Sequence, residues 1–586
     1  MDETDSPCLV PARQGMTVRY RKKNLYSLYN PAAVIERTIA LNTILPGTLV
    51  LCVSPCLCYG IPSLLKKLPE RCIALGIEVD DALYRFSQPY AAACTEADNR
   101  FCLVAPDDIA ALPVRLNTRH ACLSDGTRLP PPGTIRRVLT ITFSAGAAIH
   151  ADYYNAVYAA CTTAVGQFWK NRVTLTKLGR RFSRNLIRNL ADIPDTVSAR
   201  SLFGTVDRPI LVCGAGPSLI TTAIALKKNR AAFFVLAVDA ALPVLLKMEL
   251  TPDALVCEEA QGAIADAFFG CRSRRIPVFA GITSWNGISR ATGGSTAYFA
   301  SRYSDTAFFE HLEQLRLLPP VLPPLGSVGL TATLLALSLR QNDTVCVFVT
   351  GLDFSHPVGR THARGAPATV RDISTAGRLR PVGNYAAACA YGAALVPGID
   401  GKLTVTTKVL SGYAAEFRGV FAQEKNLFDA RHHGLEIGLA RRDITATGGS
   451  CPPKAAPSPE ITRIASKATA VSDGSHTATA VPPQQEQAKP LHPPLATRAA
   501  LTSWYRTELA ALKTARALLS GETTIHRTQR DTQLARLLSD REYLYLHFPD
   551  GYRYSPDRSF LKRIRAELDF FIKDFKQALR RLTAAP

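Results

Sequence analysis

Ile210-Leu211-Val212-Cys213-Gly214-Ala215-Gly216-Pro217-Ser218-Leu219 runs from an apolar strand directly into a glycine-rich turn and on toward a helix. Gly214 and Gly216 allow a tight turn and a close approach of backbone. Pro217 has the fixed φ and missing N–H that suit a first helical position. The helix that follows aims unpaired N–H groups and its positive dipole end at whatever lies over the turn. Gly214, Ala215, Gly216, Pro217 and Ser218 are therefore expected to hold the phosphate of a nucleotide or nucleotide-sugar. The third glycine of the dinucleotide fingerprint is absent, with Leu219 in its place, so on local chemistry alone a plain strand-to-helix turn also fits.

Outward from this turn, apolar strands and amphipathic helices alternate. Strands are expected over 209–213, 232–238, 254–257 and 277–282, with helices over 217–228 and 241–248. A further helix over 328–339 precedes an all-apolar, doubly buried strand over 344–350. Strict succession of strand and helix requires crossover connections, hence a mainly parallel sheet with helices on both faces. The fold class is α/β, with a Rossmann-like central domain over 196–445. Upstream, strands over 48–53, 72–78, 101–104 and 138–143 and helices over 61–68 and 148–168 describe a second, N-terminal α/β domain over 1–195. It ends in a basic connecting helix over 170–188, where Lys170, Arg172, Lys177, Arg180, Arg181, Arg184 and Arg188 alternate with apolar residues; its basic face is either a solvated surface or a contact for an acidic partner. Residues 446–496, rich in Pro, Ala and Ser, are expected to form a disordered linker, since 451–500 contain no Phe, Trp or Tyr. Beyond it, Leu501, Tyr505, Leu509 and Leu512, then Leu561, Ile564, Leu568, Phe571, Phe575 and Leu579, keep helical spacing and define a C-terminal helical segment over 497–586.

The formal charge of +21 over 586 residues would suit a nucleic-acid partner, but the basic residues are dispersed, so none is expected. Fifteen cysteines, an odd number set mostly in apolar runs, fit free thiols in a reducing cytoplasm. Cys52, Cys56 and Cys58 lack the second half of a zinc site. The N-terminus shows no basic segment leading into an apolar one, and the longest apolar stretches are broken by Pro46, Pro55 and Pro62 or by His150 and Asp152. A cytoplasmic protein without a transmembrane segment is expected.

Beyond local chemistry, the Gly214–Leu219 phrase together with Ala237-Val238-Asp239-Ala240-Ala241 and Leu250-Thr251-Pro252-Asp253-Ala254-Leu255-Val256 resembles the domain shared by motility accessory factor (Maf) glycosyltransferases and archaeal 6-hydroxymethylpterin diphosphokinases. Gly326-Ser327-Val328-Gly329 opening a helix, and Val349-Thr350-Gly351-Leu352-Asp353-Phe354-Ser355 leading to Thr361-His362-Ala363-Arg364-Gly365, resemble it as well. Near the N-terminus, Tyr26-Ser27-Leu28-Tyr29-Asn30-Pro31 is similar to the opening of Maf-type proteins. The glycine-rich turn expected after it appears here as Ser54-Pro55-Cys56-Leu57-Cys58-Tyr59-Gly60.

The resemblance implies a sialyltransferase-like fold and transfer of a nonulosonic sugar from a CMP-sugar to Ser/Thr hydroxyls of a flagellin-like, motility-related acceptor protein, with no redox cofactor. Two other readings stand beside it: an ATP- and magnesium-dependent pterin diphosphokinase-like enzyme, and an inactive nucleotide- or protein-binding scaffold. His362, in a loop beyond a buried parallel strand, is the candidate base or substrate contact. Arg364 has the fork to pair with a phosphate or a sugar carboxylate. Asp239 and Asp353 end buried strands, where a carboxylate accepts from ribose or base or caps a helix; Ser327 opens a helix at a matched position. Glu258 and Glu259 could hold a divalent ion beside a nucleotide or contact the substrate.

Overall fold

The computed structural model describes residues 6–118, 120–444, 496–521 and 526–584. The expected linker over 446–496 lies almost wholly outside the described residues. Two compact units are present, one of residues 1–179 with 545–554, the other of residues 180–544 with 555–586.

The larger unit is built on a ten-stranded sheet in which every pairing is parallel. The chain enters in the middle at Ile210–Cys213 and moves outward through Phe234–Val238, Ala254–Cys257, Ile276–Gly281 and Gly293–Ser301 to Val321–Leu322. It then returns to the other side of the first strand as Val347–Thr350 and continues through Leu427–Asp429 to Ala440–Arg441, while Val197–Ser198 lies beside Gly293–Ser301. The central strands read ILVC, FVLAV, ALVC and VFVT, and every residue in them is buried, as a sheet covered on both faces demands. The strand order reverses between Ile210–Cys213 and Val347–Thr350, which makes their carboxyl ends the topological switch point.

The Val328–Leu339 helix is apolar nearly all round, burying Leu330, Ala332, Leu335, Ala336 and Leu339 among others. It packs over the three central strands beginning at Ile210, Phe234 and Ala254. Because it leads into a parallel strand, its amino end lies at the carboxyl ends of the sheet. Not foreseen from the sequence is the nine-residue strand Gly293–Ser301.

The smaller unit repeats the design on a reduced scale. Its parallel sheet has the order Phe101–Val104, Ile73–Ile77, Thr48–Val53, Arg137–Thr142, and a separate antiparallel ribbon is formed by Cys8–Ala12, Gly15–Tyr20 and Lys23–Asn24. The helices expected over 148–168 and 170–188 are one 40-residue helix, Ala151–Leu190. The division between units falls within it, after Gly179 and not at residue 195, and the C-terminal helices belong to the larger unit. Arg184 and Arg188 explain why: both bind the Asp574 carboxylate at 2.6 Å, with Asp574 itself 1% exposed on the Arg498–Ser520 and Arg558–Thr583 helix pair. Arg180 reaches Glu567 at 2.7 Å. Arg172, in the smaller unit, is buried and donates to the carbonyls of Leu546 and Phe548. Four of the seven basic residues of this helix therefore pair within the chain, where the sequence left open a solvated face or a contact for an acidic partner.

Candidate functional site at the carboxyl ends of the parallel sheet

At the switch point two turns meet. A Cβ on Gly214 would stand 2.3 Å from the Gly351 carbonyl oxygen, and one on Gly216 would stand 2.5 Å from Asp353 Oδ2. The glycines are needed, but for the approach of a neighbouring turn and not of a ligand. Gly351 itself has φ +67°, a conformation open to glycine, and a Cβ there would lie 2.2 Å from the Gly214 carbonyl oxygen.

The amides of this corner are correspondingly engaged. Gly214 N donates to Thr350 O and Gly216 N to Gly351 O, each at 2.8 Å. Ser218 N donates to Asp353 Oδ2 at 2.8 Å, and the Ser218 hydroxyl donates to Asp353 Oδ1 while accepting from Gly351 N at 3.0 Å. The anion at the start of the Leu219–Lys227 helix is thus the chain's own Asp353 carboxylate. This corrects the expectation for Gly214, Gly216, Ser218 and Asp353, whose polar groups meet one another. Pro217 has no N–H to give, and Ala215 offers its carbonyl to Ala363 N at 2.8 Å.

Asp353 is 2% exposed, and burial raises its carboxyl pKa against the opposing pull of His433 and Arg431. Beneath it Arg431, fully buried, grips Asp429 through Nε at 2.8 Å and Nη2 at 2.7 Å and donates to Leu352 O at 2.7 Å. This support for the Gly351–Ser355 turn was missed in the sequence; the Asp429-Ala430-Arg431 spacing after an apolar strand is the signal that could have found it.

The neighbouring strands supply carboxyl groups with raised pKa. Asp239 is 5% exposed and accepts from Ala240 N at 2.6 Å, opening the short turn Asp239–Ala241 without capping the following helix. Burial, with Glu259 nearby, lifts its pKa to about 6. The buried Cys257 thiol beside it is raised well above the ordinary range by burial and by Asp239. Glu258 accepts from the hydroxyls of Ser301 at 3.2 Å and Thr331 at 2.7 Å, and burial raises it too. Glu259 instead accepts from Gln261 N at 2.8 Å. The Glu258–Glu259 pair therefore does not converge on one point, and among the described residues no group of three or more His, Cys, Asp or Glu is placed to hold a metal ion.

Thr331 stands on the first turn of the Val328–Leu339 helix, so Glu258 lies close to that helix's amino end. Ser327 occupies the cap position there with no side-chain cap bond, and it is half-buried. The Thr361–Gly365 loop is pinned to the glycine turn through Ala363 N. Within it His362 is half-buried, its Nδ1 lies 3.0 Å from Thr361 Oγ1, and burial with nearby His356 lowers its pKa. Arg364 is exposed on the same loop.

Two side chains that the sequence did not mark hold the rim. Asn185 donates to the carbonyls of Ala260 and Thr283, and Asn189 to those of Ile282 and Ser284, tying the long helix to the loops after two strands.

In the smaller unit the equivalent carboxyl end is filled. Ser54, Cys56 and Cys58 take positive φ of 50°, 39° and 56° where glycines would be relaxed. Tyr26 donates to Pro55 O at 2.8 Å and accepts from Leu57 N, locking the turn. Glu78, 0% exposed, accepts from Ser54 Oγ and Tyr154 OH at 2.8 Å each, and burial raises its pKa to about 7.

Fold and site together define a doubly wound α/β protein with polar and carboxyl side chains gathered at the carboxyl ends of its central strands. Residues 184–359 match the family model described as 6-hydroxymethylpterin diphosphokinase MptE-like, a span that includes Asp239, Glu258, Ser327 and Asp353 but stops before His362. The chain is 30% identical over 573 residues, 97% of its own length and 94% of the relative's, to an uncharacterized protein of Treponema pallidum (strain Nichols), and it belongs to one family with that protein. Among solved structures its fold resembles that of the Maf glycosyltransferase from Magnetospirillum magneticum AMB-1, with a TM-score of 0.53 at 13% identity over 100% of this chain and 94% of that one. No helix of the described residues is long and apolar enough to cross a membrane.

Proposed function

We propose that the carboxyl-end face of the large sheet, at the switch point, binds a nucleotide-activated sugar and transfers its glycosyl group to an acceptor hydroxyl. The observation that carries this reading is the set of groups around the uncapped amino end of the Val328–Leu339 helix, with Glu258 and Thr331 at its first turn and Ser327 at its cap. Helix amides there suit a departing phosphate, while Asp239 and Glu258 suit hydroxyls of ribose or sugar. His362, its pKa lowered, is neutral at pH 7 and takes the acceptor proton. As that proton leaves, the acceptor oxygen bonds to the anomeric carbon, and the carbon–oxygen bond to phosphate breaks with its electron pair going to the phosphate. Arg364 pairs with that phosphate or with a carboxylate on the sugar. The likeness of fold to a Maf glycosyltransferase supports glycosyl transfer, while a CMP-linked nonulosonic donor, a flagellin-like acceptor and a cytoplasmic setting are proposed on the resemblance of the sequence motifs.

The match of residues 184–359 favours a second reading, diphosphate transfer from ATP to a pterin-like alcohol. In that case magnesium would arrive with the nucleotide, held by phosphate oxygens and one or two of Asp239, Glu258 and Glu259. Melting curves with CMP, UDP and ATP plus magnesium separate the readings, since a ligand at 100 times its Kd adds about 2.7 kcal/mol. Selective stabilisation by CMP supports glycosyl transfer. Selective stabilisation by ATP with magnesium supports the kinase-like reading, and no shift with any of them leaves a scaffold.

A further inference from the structure

We infer that Cys58 and Cys94 of the smaller unit form a dithiol site that a hydroperoxide oxidises to a disulfide. Both line one hollow of about 520 Å³, together with Glu36, Tyr59 and Tyr90. Its rim reaches the surface at the exposed Pro62, Pro89 and Ala93, so a small solute can enter. Both cysteines are free thiols.

Two separate features of the fold bring them together. Cys94 stands on the Asp81–Ala97 helix three residues after Ala91, on the inward stripe that begins with Leu83 and Ser87. Cys58 sits in the turn after Thr48–Val53, where its N–H donates to Pro55 O at 2.7 Å and its carbonyl accepts from Ile61 N at 3.1 Å. It is buried in a core cluster against which the half-buried Cys94 packs. The hydrogen-bonding contact between the two thiols is the first influence on each: it lowers the pKa of Cys94 and, ahead of burial, raises that of Cys58. The nearby Cys52 and Cys56 are fully buried, and burial raises both, Cys56 to about 12. Of these four thiols, Cys94 is the one that gains thiolate character, and it is also the most accessible.

The thiolate, not the thiol, is the nucleophile, so Cys94 reacts first and Cys58 resolves. The Cys94 sulfur attacks one oxygen of the hydroperoxide. The oxygen–oxygen bond breaks with its electron pair going to the departing oxygen, which takes a proton from solvent, and Cys94 becomes a sulfenic acid. Cys58 then attacks that sulfur while giving up its own proton; the sulfur–oxygen bond breaks, and the hydroxide released takes the proton and leaves as water. The two thiols lose two electrons and the peroxide gains them. The resulting disulfide ties the turn Ser54–Gly60 to the Asp81–Ala97 helix. The site is independent of the transfer reading, since both cysteines belong to the smaller unit and Asp239 and Glu258 to the larger.

Treating the full chain with an equivalent of hydrogen peroxide, blocking the remaining thiols with iodoacetamide and digesting with trypsin tests the inference by mass spectrometry. Peptide 38–66 should appear linked to peptide 86–100 through Cys58 and Cys94, and dithiothreitol should release it. Cys58→Ala should abolish the link and leave the Cys94 sulfenic acid to be trapped by dimedone, a product that a chain unfolded by the substitution would not confine to Cys94. Cys94→Ser should leave Cys58 unoxidised. Absence of the linked pair in the wild-type chain, a link through Cys52 or Cys56 in its place, or oxidation of Cys94 no faster than that of the exposed Cys8, Cys122 and Cys389 would overturn the inference.

Discussion

Asp239→Asn separates a poised carboxyl from a merely buried one. The aspartate is 5% exposed, and its pKa stands at about 6 against an ordinary 3.8. Below pH 3.8 the folded and unfolded chains both carry the protonated acid, so the group adds no pH dependence. As pH rises from 3.8 to 6 the unfolded chain ionises first, and stability falls; above 6 the penalty is complete. A pKa displaced that far corresponds to about 3 kcal/mol. The asparagine side chain keeps an acceptor for Ala240 N and never ionises, so the variant escapes this loss. For a unit of about 400 residues an entropy of unfolding near 2.1 cal/mol/K per residue converts this to roughly 4 °C. Calorimetry of wild type and variant at pH 4 and pH 8 reads it: near-equal melting at pH 4, and the variant higher by several degrees at pH 8. Because the two chains share every other titrating group, the difference isolates Asp239. A variant that melts no higher than wild type at pH 8 refutes the reasoning. Under the proposed function the same variant, though more stable, should lose its melting shift with nucleotide.

Gly216→Ala should destabilise the larger unit by about 1–3 kcal/mol, because its Cβ would meet Asp353 Oδ2 at 2.5 Å and Gly351 O at 2.7 Å; denaturant midpoints check this, and an unchanged midpoint would contradict a tight corner there. Asp574→Ala should cost about 3–5 kcal/mol by leaving Arg184 and Arg188 without their shared carboxylate. Asp266→Ala, which breaks the exposed pair with Arg371, should stay within about 0.5 kcal/mol in the same urea titrations. Glu78→Gln should flatten a loss of stability in the smaller unit that runs from pH 4.5, the ordinary value, to about 7 in the folded protein, as followed by hydrogen exchange of its strands.

The parts of the fold that were legible are those where composition admits one solution. Runs such as Ile210–Cys213 and Val347–Thr350 have no polar face, so they had to be strands covered on both sides. Gly293–Ser301 escaped because it opens with two glycines followed by Ser and Thr, the composition of a loop; its pairing with Ile276–Gly281 is a tertiary fact. Asn185 and Asn189 escaped for a related reason, since amide side chains on a long basic helix read as solvent-facing until the carbonyls of Ala260 and Ile282 are seen opposite them. Asp239, Glu258 and Ser327 were expected at the carboxyl ends of the sheet because each follows a buried strand or opens a helix, and strand and helix ends are where the structure has them. The glycine turn was read for the wrong neighbour, since a missing Cβ permits close approach without saying of what.

The two units share one plan, and its two outcomes bear on how the carboxyl ends of the larger sheet would work. In each, the first strand leads to a tight turn and the second ends in a buried carboxyl of raised pKa: Glu78 after Ile73–Ile77, Asp239 after Phe234–Val238. Glu78 accepts from Ser54 and Tyr154, two hydroxyls of its own chain, at full burial. Its polar capacity is used internally, and a ligand would have to displace both. Asp239 accepts from one backbone amide and from the Cys257 thiol, a weak donor, and Ser327 leaves the Val328–Leu339 helix without a side-chain cap. A raised pKa with few internal partners means that a donor from outside gains most at Asp239, because it relieves a desolvation cost already incurred on folding. The same carboxyl position thus acts as a plug in the smaller unit and as an acceptor awaiting a hydroxyl in the larger. Selection for binding would therefore preserve the burial of Asp239 without supplying it with a second strong internal donor, the Cys257 thiol being a weak one.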